Sequence, residues 1–119
     1  MTPAAQPLDP RQGQLWLVDF GTPVGHEQGY RRPAVVVSAD QMNTSRAGLV
    51  IVVPMTRTRR SLPSHIEVEA QGSGLRETSY AKCEDVKSVS QDRLVHHIGH
   101  VSELAQQRII AVIRTLLGD

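Results

Sequence analysis

The sequence predicts a mainly β protein, a small, strongly bent sheet or barrel with one α-helix packed alongside. Three observations carry this. Short runs rich in Val, Ile and Leu recur between residues 14 and 89, separated by turns that hold Gly and Pro. One of them alternates apolar and charged residues with the period of a half-exposed strand, and only the last run, from Ser102, changes to the three-and-four spacing of a helix.

Residues 1–10 hold three Pro and two Ala and read as a flexible leader, so the single domain is expected at 11–119. Residues 14–20 (QLWLVDF) form the first strand, stopped by Gly21, Pro23 and Gly25. Residues 21–32 (GTPVGHEQGYRR) then read as a long polar loop of the kind that is functional or disordered. Residues 33–38 (PAVVVS) and 49–56 (LVIVVPMT) are buried strands, with 39–48 joining them. Pro54 demands a bend, a bulge or an edge.

In 64–70 (SHIEVEA), Ile66 and Val68 alternate with Glu67 and Glu69, giving one core face and one wet face. Residues 71–75 turn on two Gly, and 79–89 supply one or two further strands, making five or six in all. From Ser102, Ala105, Ile109, Val112, Ile113 and Leu116 form the stripe of an amphipathic helix, with Ser102 as N-cap and Gly118 as stop.

Thirteen Lys and Arg against twelve Asp and Glu give a net charge of +1, which does not announce a nucleic-acid binder. The distribution does more. Between residues 21 and 65 six Arg face two acids, whereas from 66 to 95 six acids face four bases. Cationic charge is thus concentrated on loops of the first half, where it can attract a phosphate backbone. One cysteine, Cys83, excludes an internal disulfide and suits a reducing compartment; its strand-like surroundings make it a small buried hydrophobe. With no apolar run of membrane-spanning length and no signal segment, the cytoplasm is the expected location.

For metal chemistry the sole candidate is His96, His97 and His100 (HHIGH), which lacks the partners of a zinc-ligand spacing. These histidines read as surface or packing residues, and no metal or other cofactor is expected. No Gly-rich phosphate cradle or nucleophile elbow occurs. Chemistry would have to come from loop residues: His26, Glu27, Gln28, Arg31 and Arg32 in the first loop, and Thr56 ending the third strand.

The order GQLWLVDF, GHEQGYRRPAVVVS, LVIVVPMT, LPSHIEV and SYAKCEDVKSVSQDRL before a terminal helix resembles the MazF/PemK (Kid) toxins, over about residues 11–117. Its most specific parts are the loop followed by Arg-Pro and a Val run, and the Pro-x-Thr that closes the third strand. The resemblance implies a small SH3-like barrel of the MazF/PemK/CcdB type with a C-terminal helix. It also implies a homodimer that cuts single-stranded mRNA at preferred sequences without a metal, inhibiting translation and growth until a cognate antitoxin silences it. It maps the catalytic Arg to Arg32 and the Thr to Thr56, and matches Glu27 and Gln28 to the family's loop pair.

Metal-free RNA cleavage requires the 2′-OH to attack its own phosphate, a pentacoordinate centre to be neutralised and the leaving 5′ oxygen to gain a proton. The guanidinium fork of Arg32 suits the phosphate oxygens, and Thr56 can hold a nonbridging one. Arg32 stays protonated and cannot serve as the base. For that role Glu27 ranks slightly ahead of His26, which has the better unperturbed pKa. Gln28, His26, Arg31 and the RTRR run with Arg57, Arg59 and Arg60 are expected to bind RNA. Two other readings stand beside this one: a CcdB-like toxin that binds gyrase, and an RNA-binding barrel without catalysis.

Overall fold

Seven antiparallel strands and a C-terminal helix form the computed structural model, which describes residues 8–22, 24–26 and 30–119. The strands are β1 (Gln14–Asp19), β2 (Arg31–Val36), β3 (Leu49–Thr56), β4 (His65–Val68), β5 (Ser79–Lys82), β6 (Lys87–Ser90) and β7 (Leu94–His100). A short helix, α1 (Asp40–Asn43), lies between β2 and β3, and α2 (Glu103–Leu116) ends the fold. The strand order is β4-β5-β3-β2-β1-β7, with β6 also paired to β3.

Strands β1 to β3 are buried on both faces, which is why their sequences run almost without polar breaks. Leu15, Val35, Val53 and Met55 pack with Val68, Ala81 and Cys83 under Ala105 and Ile109 of α2. On the other face Trp16, Val18, Phe20, Ala34, Val36, Val50 and Val52 form a second core, closed by Val89 and Leu94. The predicted helix stripe is the one that docks, and Ser102 caps it by accepting a 3.1 Å hydrogen bond from the Ala105 N–H. Gly118, at φ +88, lies just beyond its last turn.

Four features depart from the sequence expectation or sharpen it. The second strand begins at Arg31, not Pro33, because the β1–β2 ladder runs on through Val18↔Arg32 and Asp19↔Arg31. Helix α1 fills part of the segment expected only to join two strands, tied down by the buried Asn43, whose side chain bonds Ser38. The HHIGH run is a strand, β7, paired with β1. Pro54 sits inside β3 where the pairing to β6 has ended at Val52 and that to β5 begins at Met55. At that gap no second partner needs its missing N–H.

Cys83 is fully buried, and burial, with the nearby Glu84 charge, pushes its thiol up to about 12, leaving an inert packing residue. Beside it the ring of His65, only 2% exposed, meets the Glu84 carboxylate at 2.8 Å and ties β4 to the turn after β5. Burial pushes the Glu84 carboxyl up, but the hydrogen bonds from His65, the backbone and Ser64, with the His65 charge, outweigh it and hold its pKa below the usual glutamate value. A carboxylate depressed in the folded state contributes stability above its unfolded pKa and loses it as pH falls through the folded one. Because Glu84 is 37% exposed and screened by solvent, the contribution should be under about 1 kcal/mol. Thermal melts should show Glu84→Gln less stable than wild type at neutral pH, with the gap closing in acid; a constant gap would mean that the charge is irrelevant.

Candidate active site

The β1–β2 hairpin places the arginine doublet. Above Asp19↔Arg31 the ladder is prolonged by the Phe20 N–H donating to the Tyr30 carbonyl at 2.9 Å and the Tyr30 N–H donating to Gly21 at 2.6 Å. On its other side β2 pairs with β3 up to Ala34↔Pro54, and Arg32 and Thr56 each lie two residues beyond that last pair. Side chains alternate along a strand. Arg32 and Thr56 therefore share the face of Val18 and Ala34, while Arg31 shares the opposite one with Leu17 and Met55; Arg57 follows in the bend just beyond β3.

All four residues border one cavity of about 560 Å³. Leu17, Pro33, Met55, Leu75 and Ile98 supply apolar lining, and Arg76, Glu77, His96 and His97 join the arginines around it. One wall is the turn that precedes β5, which lies directly on β7. A Cβ on Gly99 would overlap the Ser73 carbonyl and one on Gly74 the Ile98 carbonyl, so glycine at both positions permits the contact. The His100 N–H donates to that Ser73 carbonyl at 3.2 Å.

Arg31 lies 3.8 Å from Asp19 and Arg57 3.6 Å from Glu77, both in exposed pairs. Such pairs are weak in water and give way readily to a phosphate. The Thr56 hydroxyl oxygen accepts a 3.2 Å bond from the Thr58 N–H, which leaves its own proton as a donor. His97 is oriented: its Nε2 lies 2.8 Å from the Gly99 carbonyl, which makes Nε2 the protonated nitrogen, and its ring rests 5.3 Å from that of Trp16. Among the described residues no group of three or more His, Cys, Asp or Glu is arranged to hold a metal ion.

The profile of the family described as PemK-like, MazF-like toxin of type II toxin–antitoxin system matches residues 11–117. The chain belongs to this family. A curated relative, the endoribonuclease MazF9 of Mycobacterium tuberculosis, is 37% identical over 103 residues, spanning 81% of this chain and 87% of its own. The endoribonuclease EndoA of Bacillus subtilis is 26% identical over 109 residues, spanning 91% and 94%. Among solved structures, MazF of Deinococcus radiodurans superposes with a TM-score of 0.84 at 24% identity over 95% of this chain and all of its own. A mycobacterial endoribonuclease in complex with its cognate antitoxin gives 0.76 at 25% identity, over 92% and 95%. The mainly β MazF-like fold with its C-terminal helix is thus the one that the sequence predicts.

In this MazF-like toxin Arg31, Arg32, Thr56 and Arg57 are brought to one cavity. His26, Arg59 and Arg60 are exposed and do not line it. Glu27 and Gln28 fall outside the described residues. Sequence reasoning missed Arg76, Glu77 and Ser79, and set His96 and His97 aside as surface or packing residues, yet all five line the cavity. For Arg76 and Glu77 no local signal exists. For the histidines the signal was the HHIGH run itself, weighed only as a metal site. No helix among the described residues is long and apolar enough to cross a membrane.

Proposed function

We propose that this toxin is a metal-independent endoribonuclease that cuts single-stranded mRNA, with Arg32 and Thr56 holding the phosphate at the cut. The observation that carries this reading is that Arg32, near the start of β2, and Thr56, ending β3, line one cleft together with Arg31, Arg57 and Arg76. The 2′ oxygen attacks the adjacent phosphorus, the bond to the 5′ oxygen breaks, and the products end in a 2′,3′-cyclic phosphate and begin with a 5′-OH. Arg32 neutralises the charge that builds on the nonbridging oxygens, and Thr56 donates to one of them. Glu27 takes the 2′-OH proton, with His26 as the alternative base, and water gives the departing 5′ oxygen its proton.

The RNA track continues over Gln28, Arg31, Arg57, Arg59 and Arg60. The working form is a cytoplasmic homodimer, silenced by a cognate antitoxin, whose release inhibits translation and growth. Leu104 at the start of α2 and Leu116 and Leu117 at its far end are separate exposed apolar positions that self-association would help to bury. A dimer also lengthens the track, repeating the site by symmetry.

Purified protein incubated with a long single-stranded RNA in EDTA should produce fragments with 5′-OH ends. Intact RNA with growth arrest retained would favour a protein-binding toxin. The track is tested separately: Arg59→Ala should weaken RNA binding and reduce the slope of log K against log salt by about 1, with single-turnover chemistry retained. An unchanged slope would remove Arg59 from the track.

A further inference from the structure

We infer that the cavity beside Arg31 and Arg57 is a base-selecting subsite, holding the nucleobase next to the cut with His96 and Arg76 against it. The inference rests on the ribonuclease reading and extends it. Alternation along β2 gives the two arginines of the doublet different duties. Arg32, with Thr56, faces one side of the sheet edge; Arg31 faces the other, and Arg57, in the bend beyond β3, lines the cavity with it. A strand crossing that edge leaves its scissile phosphate on the first side and presents its next phosphate to the second. The nucleotide between must put its base somewhere.

The cavity beside Arg31 and Arg57 suits a base. Its volume of about 560 Å³ accommodates one nucleotide, and Leu17, Pro33, Met55, Leu75 and Ile98 give it an apolar lining. Among the described residues no Phe, Tyr or Trp lines it, so the planar groups that could stack on a base are imidazole and guanidinium, with the Glu77 carboxylate also able to bond a base edge. His97 stands opposite Trp16 in the ladder and is engaged with that ring and with Gly99. His96 stands opposite Leu17 and therefore shares the face of the apolar lining. Arg76 is carried over the cavity by the turn that Gly74 and Gly99 allow to sit on β7. The cationic rim matches the charge of the ligand, and the position beside Arg32 and Thr56 fixes which nucleotide is read.

The test compares wild type with His96→Ala and Arg76→Ala on a random-sequence single-stranded RNA library, with the cut ends sequenced. Wild type should prefer particular bases beside the cut, and each variant should flatten that preference about tenfold at one position. The loss of kcat/KM should fall on the preferred sites and spare the poor ones. An unchanged profile, or one uniform loss at all sites, would reduce both residues to general electrostatics and overturn the subsite. Independently, an uncut 2′-deoxy oligonucleotide should shift the methyl resonances of Leu17, Leu75 and Ile98; unmoved methyls with the oligonucleotide bound would also overturn it. A wild type that cuts no RNA sinks the ribonuclease reading and takes the subsite with it, whereas a wild type that cuts with a profile indifferent to both substitutions sinks the subsite alone.

Discussion

Alanine at Arg32 should lower kcat about 10³-fold, the loss found when a preorganised donor to transition-state charge is removed. The residue sits at the edge of β2 beside the cavity and outside both core clusters, so the melting temperature should move by only a few degrees. Lysine at the same position keeps the charge and loses the planar fork, and should recover only part of the rate. Thr56→Ala removes one hydrogen bond from a neutral donor to a charged phosphate oxygen and should cost about ten- to a hundredfold. The decisive comparison is single-turnover cleavage of one RNA by the folded variants. Wild-type rates from Arg32→Ala would take that side chain out of the chemistry.

Gly99→Ala should produce the largest loss of stability among simple surface changes. Its new methyl would overlap the backbone carbonyl of Ser73, which cannot rotate away as a flexible side chain could. The turn must lift from β7, losing the bond from the His100 N–H and dragging Leu75 and Arg76 off the cleft. Overpacking of this kind costs about 1–3 kcal/mol. Gly72→Ala is the control, since φ is +80 there and nothing stands within 4 Å, so only backbone strain of about 1 kcal/mol applies. Denaturant midpoints should place Gly99→Ala below Gly72→Ala, with cleavage impaired in the former alone. Equal midpoints would show that the turn yields freely and that the wall is not fixed by this contact.

What the sequence made legible follows from how locally each feature is encoded. The strands 14–20 and 49–56 and helix α2 were readable because periodicity and apolar content are properties of neighbours in the chain. Strand β7 was not, because it is mostly exposed and its pairing to β1, broken by two register shifts, is decided by a partner some eighty residues away. Placing Arg31 and Arg32 in a loop missed the extension of the hairpin through Phe20 and Tyr30, where Tyr30 adopts φ 61, a conformation unusual for a bulky side chain. Helix α1 is a single turn held by the buried Asn43, too short for a periodic signal.

The candidate site divides in the same way. Arg32 and Thr56 stand in blocks that match a family residue by residue, so the sequence alone identifies them. Arg76 and His96 owe their position to a turn folding back onto a distant strand, guided by two glycines whose role appears only in three dimensions. Neither residue type, charge nor spacing could have joined them to the first loop.

Attack by the RNA's own 2′ oxygen on a phosphate held by Arg32 and Thr56 is the central step of the proposed reaction. It is tested most directly by two otherwise identical RNAs, one carrying a single 2′-deoxy nucleotide on the 5′ side of the cut, each incubated with wild-type protein in EDTA. The unmodified strand should be cut to a cyclic phosphate and a 5′-OH, and the substituted one should remain whole at that bond. Cleavage of both strands at equal rates would contradict it.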